Sequence, residues 1–302
     1  MGNRSFRLAI VPLTTCTGCE NAILDLGEGL ISVLDDVEIV YAPVLMDAEI
    51  PKAVDVTFLT GSVRSSEDEL QVKEWRSRSS LLVSFGSCAC FGGIPGLANL
   101  MSVNDLVRSV YVDNLNVDNP DGVVPERDVS SLTDYIVPVH QLVNVDYMIP
   151  GCPPPAKFIT DLFTSILSGE EFKLPSKNLC ESCPLNTGEK KIVSIKRWGV
   201  DPFDPSKCFL EQGFLCLGPV TRSGCDARCI RAGFPCRGCL GVPEGVDDPA
   251  AKMISAFVSS LSLDDVNPDD LKKLKDLSGM LYRFTLPSST FKHRLKRKCD
   301  DG

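Results

Sequence analysis

The chain has 302 residues and a formal net charge of −9. Nucleic-acid binding needs a concentrated basic surface, so this charge leads us to expect no nucleic-acid partner. No run reaches the roughly 18 apolar residues that span a bilayer, and the N-terminal residues carry neither a twin arginine nor a separate apolar segment. We therefore expect a cytoplasmic protein without a membrane span.

Residues 1–173 alternate between strand-like and helix-like segments. Short apolar runs predict strands over 7–11, 37–40, 54–59, 81–85 and 145–149, and those over 37–40 and 54–59 are typical of buried strands. Apolar residues at helical spacing predict helices over 21–34, 67–78 and 157–167. Residues 102–138 give no clear element, apart from a surface turn at 118–122. Strands that alternate with helices indicate an α/β domain with a parallel sheet.

The composition changes at residue 174. Pro, Gly and Cys dominate up to residue 243, and the apolar residues there are too few to build a core unaided. We therefore expect a second, loop-rich domain over 174–302 that metal or cross-links organise. Two helices are predicted over 249–261 and 268–277, and a basic tail over 292–298 is interpreted as solvated.

Four separated cysteines each follow a predicted strand of the first domain: Cys16, Cys19, Cys88 and Cys152. Loops that leave the carboxyl ends of parallel strands converge on one crevice, so these cysteines can meet. Glycines beside each of them allow close backbone approach to sulfur. We also expect a helix to begin directly after Cys19, with its positive end favouring a thiolate. The alternative is that they are buried free cysteines.

Eight more cysteines lie in the second domain, out of fourteen in the chain. They fall into two groups of four, which are Cys180, Cys183, Cys208 and Cys216, and then Cys225, Cys229, Cys236 and Cys239. A reducing compartment disfavours structural disulfides, so metal binding is the favoured use. Spacing alone does not separate tetrahedral zinc from a cubane iron–sulfur cluster. A zinc-stapled scaffold protein therefore stays open at this point.

Three separated signatures occur in order: Cys-Thr-Gly-Cys-Glu, Gly-Ser-Cys-Ala and Gly-Cys-Pro-Pro. With the eight cysteines that follow, they resemble the small subunit of a [NiFe] hydrogenase over essentially the whole chain. The resemblance implies a flavodoxin-like first domain and three [4Fe–4S] clusters. It implies a proximal cluster on Cys16, Cys19, Cys88 and Cys152, a distal cluster on Cys180, Cys183, Cys208 and Cys216, and a medial cluster on Cys225, Cys229, Cys236 and Cys239.

Two departures from many relatives concern the cluster ligands. Cys180 stands where they have a histidine, and Cys229 fills a position that is commonly proline in three-iron medial sites, which predicts a four-iron medial cluster. Cys90 and Cys299 are left over and are interpreted as unligated thiols. Glu20 follows Cys19 directly; a first-turn acidic residue that stabilises the helix N-terminus is favoured over a partner contact or a proton route.

The resemblance also implies the partners. Dihydrogen would be split at a nickel–iron centre in a large subunit, so this chain is expected to hold no catalytic residue of its own. Among cytoplasmic relatives, the chain is most similar to the F420-non-reducing type, which delivers electrons to heterodisulfide reductase through a soluble iron–sulfur protein. The alternative is the F420-reducing type, whose subunits usually carry a ferredoxin-like Cys-x-x-Cys-x-x-Cys run, and none occurs here.

Overall fold

The computed structural model describes residues 5–186, 190–262 and 265–291. The chain divides into two compact units: the first unit comprises Met1–Pro153 with Phe284–Gly302, and the second unit comprises Pro154–Arg283. These units differ from the division at residue 173 that the composition indicates. Periodicity and composition are local signals, and they do not show which unit a helix or a terminal segment packs against.

A parallel sheet forms the centre of the first unit. The described strands are β1 (Phe6–Pro12), β2 (Val37–Tyr41), β3 (Val54–Thr60), β4 (Val63–Ser65), β5 (Ser79–Phe85), β6 (Leu132–Val137) and β7 (Tyr147–Ile149). Five of them pair in parallel in the order β2-β1-β3-β5-β7, and β4 pairs with β6 antiparallel. The five-stranded order is that of flavodoxin-like folds. The predicted α/β fold class is thus confirmed.

The helices described in the first unit are α1 (Gly18–Leu24), α2 (Glu28–Leu34), α3 (Ser66–Arg78), α4 (Ser87–Phe91) and α5 (Val103–Tyr111). The single helix predicted over 21–34 is wrong, because Gly27 adopts a φ of +57° and separates α1 from α2. The helix predicted over 67–78 is confirmed as α3. It begins with a capping box in which Ser65 and Asp68 bond each other's backbone N–H.

Both faces of the sheet are covered. On one face Phe58 and Phe85 stack with ring centroids 4.9 Å apart, and on the other Leu59 and Leu82 belong to a cluster with Trp75 of α3. Central strands buried on both faces produce the continuous apolar runs seen in the sequence. The expectation of a buried strand over 37–40 is wrong in part, because β2 lies at the sheet edge and only its first residue is buried.

The second unit contains four described α-helices, namely α6 (Ala156–Ser168), α7 (Arg228–Arg231), α8 (Pro249–Ser260) and α9 (Leu277–Leu281). The stretch between α6 and α8 is mostly irregular, as expected. The helix predicted over 268–277 is wrong: a 3-10 turn spans Pro268–Lys273, and Leu274 leaves the helical region before α9 starts. Fully buried aromatic rings, including Phe209 and Phe214, supply the core among these loops.

The end of the described chain packs against α4 of the first unit. A Cβ added to Gly92 or Gly96 would lie 2.3 or 2.4 Å from Pro287, so the proline fills the space that these glycines leave. Ser288 Oγ donates a hydrogen bond of 3.2 Å to the carbonyl of Phe91, and Gln141 Nε2 donates one of 3.3 Å to the carbonyl of Pro287. Cys299 and the basic run 292–298 lie outside the described residues.

Within the described ranges, every helix is too short or too polar to cross a membrane.

Candidate metal centres

The strand-end cysteines are Cys16, Cys19, Cys88 and Cys152, and the sheet brings them together. Cys16 and Cys19 follow β1, Cys88 lies in α4 directly after β5, and Cys152 follows β7. Burial raises the pKa of Cys19 well above its usual range, and Glu20 and then the other three thiols raise it further. Burial, and then the neighbouring Cys152 and Cys16, raise the pKa of Cys88 to about 12. All four thiols therefore lie at one site.

Hydrogen bonds tie together two of the loops that carry these thiols. Ser87 N–H donates to the carbonyl of Gly151 at 2.8 Å, and Gly151 N–H donates to Ser87 Oγ at 3.1 Å. Cys88 directly follows Ser87, and Cys152 directly follows Gly151. The spacing between the β5 and β7 ligands is thus set by the backbone rather than by flexible side chains.

Two glycines leave room for the buried sulfur atoms. Gly86 has a φ of +91°, and a Cβ there would lie 2.3 Å from Cys19 Sγ. Gly93 has a φ of +60°, and a Cβ there would lie 2.4 Å from Cys88 Sγ. Both positions therefore require glycine for two reasons: the positive φ disfavours other residues, and a Cβ would collide with a cysteine sulfur. The sequence indicated close backbone approach of this kind beside the cysteines.

Glu20 is a buried acid next to this site, with 1% of its surface exposed. Thr60, the last residue of β3, donates a hydrogen bond of 2.5 Å to Glu20 Oε1, whereas Oε2 has no hydrogen-bond partner among the described residues. The helix that holds it starts at Gly18, so the expectation of a helix beginning after Cys19 is wrong by two residues. The role of Glu20 at the helix N-terminus stays a prediction. Its hydrogen bond to Thr60 could not have been predicted, because the two residues lie far apart in the sequence.

The cavity cysteines, in the second unit, are Cys180, Cys183, Cys208 and Cys216. All four line one small cavity whose other walls are mostly apolar, including Phe209, Leu210 and Ile230. Burial, followed by thiols of the same group, raises the pKa of Cys180 to about 12. The pKa of Cys216 is raised to about 11, mainly by burial, with smaller contributions from Cys208 and Cys183. A Cβ on Gly218 would lie 3.0 Å from Cys180 Sγ. The structure thus brings this predicted group together as well.

The paired cysteines, also in the second unit, are Cys225, Cys229, Cys236 and Cys239. Burial raises the pKa of Cys229, and Cys225 adds to it. Burial also raises the pKa of Cys236 well above its usual range, with the largest electrostatic contribution from Cys216 and a further one from Cys239. The thiols of this group therefore influence each other in two pairs, Cys225 with Cys229 and Cys236 with Cys239.

Cys90 differs from the ligand candidates. It is fully buried in α4, and its Sγ donates a hydrogen bond of 3.2 Å to the carbonyl of Ser84. Its interpretation as an unligated thiol stays a prediction.

The donor chemistry of the three groups fits iron–sulfur clusters. Each group supplies four thiols, and sulfur is the ligand that iron–sulfur clusters and tetrahedral zinc sites share. Glycines beside the thiols allow a bulky inorganic group to approach the backbone. Among the described residues, no three Cys, His, Asp or Glu side chains gather round one point in the manner of a single-ion site.

Comparison with known proteins identifies the family. Residues 16–166 match the family of the NADH ubiquinone oxidoreductase 20 kDa subunit. The chain is 37% identical over 291 residues to a subunit of the vhu F420-non-reducing hydrogenase of Methanocaldococcus jannaschii, an alignment that covers 96% of this chain and 98% of that protein. It is 38% identical over 284 residues to the corresponding subunit from Methanococcus voltae, covering 94% and 96%. The chain belongs to this family of F420-non-reducing hydrogenase subunits.

Solved structures agree with the assignment to the hydrogenase family. An NAD+-reducing [NiFe]-hydrogenase in the H2-reduced state aligns with a TM-score of 0.54 and 30% identity, covering 57% of this chain and 96% of that chain. The [NiFeSe] hydrogenase of Desulfovibrio vulgaris Hildenborough aligns with a TM-score of 0.52 over 82% of this chain and 96% of its own; at 18% identity it supports the fold alone. This member of the F420-non-reducing hydrogenase family is thus the small, electron-transfer component of a [NiFe] hydrogenase, part of an oxidoreductase complex. The preference for the F420-non-reducing type is confirmed.

Proposed function

We propose that this chain carries electrons from the hydrogen-splitting centre of a large [NiFe] subunit to a soluble iron–sulfur acceptor, through three [4Fe–4S] clusters. The strand-end cysteines would hold the proximal cluster, the paired cysteines the medial cluster and the cavity cysteines the distal cluster. The observation that carries this proposal is the cavity lined by four cysteines, since four thiols round one apolar space form a complete cluster ligand set. When bound, each cluster supplies a site that accepts and releases single electrons.

The residues of this chain would position the clusters and tune them. Backbone N–H groups near sulfur favour the more negative, reduced state, and such groups include those of Ile94 at Cys88 and of Gly218 and Cys236 at Cys216. Burial acts in the opposite direction, because a poorly solvated site resists added negative charge. Cys16 and Cys152 are exposed in this chain, and we propose that the large subunit covers this side of the proximal site.

We further propose that the acceptor is a soluble iron–sulfur protein that feeds heterodisulfide reductase, and that the relay works in the cytoplasm. Support for the acceptor comes from the relatives, which carry the name F420-non-reducing hydrogenase. Support for the compartment comes from the cysteine usage, because three groups of four cysteines suit metal binding, which a reducing environment favours over structural disulfides.

Metal analysis and EPR on the anaerobically purified complex of both subunits test the proposal. We expect a brown protein with roughly twelve iron atoms in this chain, four for each cluster, and cluster signals on reduction with dihydrogen. A colourless chain that holds zinc would instead establish the scaffold alternative. Direct reduction of F420 by the two-subunit enzyme would contradict the proposed acceptor.

A further inference from the structure

The hydroxyl of Thr221 lies against one of the paired cysteines. Thr221 Oγ1 is 3.6 Å from Cys236 Sγ and 2.6 Å from the carbonyl oxygen of Leu217. Both Thr221 and Cys236 are buried, at 2% and 6% exposure. Leu217 and Cys236 are joined as well, because Leu217 N–H donates a hydrogen bond of 3.0 Å to the carbonyl of Cys236. The hydroxyl therefore contacts both a sulfur atom and a carbonyl oxygen, away from bulk water.

Backbone hydrogen bonds hold both partners of this contact in place. Thr221 N–H donates a bond of 3.3 Å to the carbonyl of Gly218, and the carbonyl of Thr221 accepts one of 2.8 Å from Leu179 N–H. On the other side, Cys236 N–H donates a hydrogen bond of 3.3 Å to Cys216 Sγ, a sulfur of the cavity cysteines. The main chain thus fixes the hydroxyl oxygen and the sulfur, whereas the hydroxyl proton can turn about the bond between Cβ and Oγ1.

The hydroxyl of Thr221 has one proton and two neighbouring acceptors. Beside a thiol, it donates this proton to the carbonyl of Leu217 and accepts the weak S–H bond of Cys236. Sulfur that is bound to iron is a thiolate, which accepts hydrogen bonds and has no proton to donate. A charged acceptor forms the stronger bond, so the proton should then turn to Cys236 Sγ. The carbonyl of Leu217 stays paired, because it also accepts a bond of 3.1 Å from Val220 N–H.

We propose that the Thr221 hydroxyl donates a hydrogen bond to Cys236 Sγ in the cluster-loaded protein and thereby raises the reduction potential of the medial cluster. The inference rests on the proposed function. One electron that enters the cluster adds one negative charge, and a hydrogen bond to a ligand sulfur stabilises the reduced state more than the oxidised state. The hydroxyl keeps its proton, and no covalent bond forms or breaks. Thr221 therefore acts through Cys236 and is not itself a cluster ligand.

EPR-monitored redox titration of the anaerobically purified two-subunit complex tests this role. Thr221→Val replaces the hydroxyl with a methyl group of similar size. We expect the ratio of reduced to oxidised medial cluster, at a fixed ambient potential, to fall about fivefold, or about 40 mV at 59 mV for each tenfold change. Thr221→Ser retains the hydroxyl and should keep most of the ratio. The matched control is Thr57→Val in β3, where the buried Thr57 hydroxyl lies 2.6 Å from Ser79 Oγ; it should leave the ratio unchanged.

The outcomes separate this inference from the proposed function. An unchanged ratio in Thr221→Val, or an equal fall in Thr221→Ser, would overturn the inference, the second because packing rather than the hydroxyl would be responsible. If Thr221→Val does not assemble its clusters, Thr221→Ala provides the test, and we expect the same fall. An unchanged ratio in Thr221→Ala, or its failure to hold iron as well, would overturn the tuning role. Zinc in place of iron in the unmodified chain would instead remove the proposed function itself.

Discussion

Replacing Gly86 with alanine should specifically damage the strand-end site. The added Cβ would lie 2.3 Å from Cys19 Sγ, whereas ordinary contacts begin at 3.4 Å, so one of the two atoms must move by 3.4 − 2.3 = 1.1 Å. Cys19 is 8% exposed and has little free space around it. A φ of +91° adds about 1–3 kcal/mol of backbone strain for a residue with a side chain. Metal ligation tolerates only about 0.2 Å of error, so the proximal cluster should be lost.

Iron content and thermal unfolding of the purified complex measure this effect. We expect roughly four iron atoms fewer than in the unmodified complex, and loss of the proximal EPR signal. Gly199→Ala is the matched control, because Gly199 has a similar φ of +86° but no atom within 4 Å of the added Cβ. The control should lose stability through strain and keep its iron. Full iron content with an unchanged EPR spectrum in Gly86→Ala would refute the reasoning from space at Cys19.

Four more changes have defined outcomes. Cys19→Ala should abolish hydrogen-dependent dye reduction, since the first step of the relay would be missing. Cys229→Pro should leave a three-iron medial cluster with a higher potential and a new EPR signal in the oxidised protein; an unchanged spectrum would show that Cys229 is not a ligand. Cys183→Ala should slow electron delivery to the iron–sulfur acceptor while hydrogen–deuterium exchange at the nickel site persists, and loss of both in an assembled complex would contradict the cluster order. Asp68→Ala should lower the free energy of unfolding by about 2–3 kcal/mol in chemical denaturation, because the buried Asp68 carboxylate accepts bonds from the backbone N–H groups of Arg64 and Ser65 and from Thr14 Oγ1.

The sheet and the strand-end site could be predicted because their signals are local. Each central strand is an apolar run, and each cysteine loop follows such a run directly. A general rule about parallel sheets then places the loops at one edge. The structure has the parallel order β2-β1-β3-β5-β7, and Cys16 lies close enough to the other three strand-end thiols to contribute to the raised pKa of Cys19, Cys88 and Cys152.

Other features depend on contacts between distant residues and had no local signal. Pro287 fills the space beside Gly92, although almost two hundred residues separate them. The contact between Cys236 N–H and Cys216 Sγ joins two groups that the sequence presents as separate. Burial and approach between loops are tertiary properties, which spacing does not encode.

The two units hold their cysteines by different physical means, and this has consequences for metal incorporation. The strand-end cysteines lie on loops fixed by a buried sheet, whose hydrophobic core does not require metal. The cavity and paired cysteines lie in a largely irregular stretch, where binding of the proposed clusters would contribute to folding. Because Cys236 N–H bonds Cys216 Sγ, ordering one group in the second unit also orders a ligand of the other. We therefore expect the medial and distal sites to fill cooperatively, and the proximal site to fill independently of them.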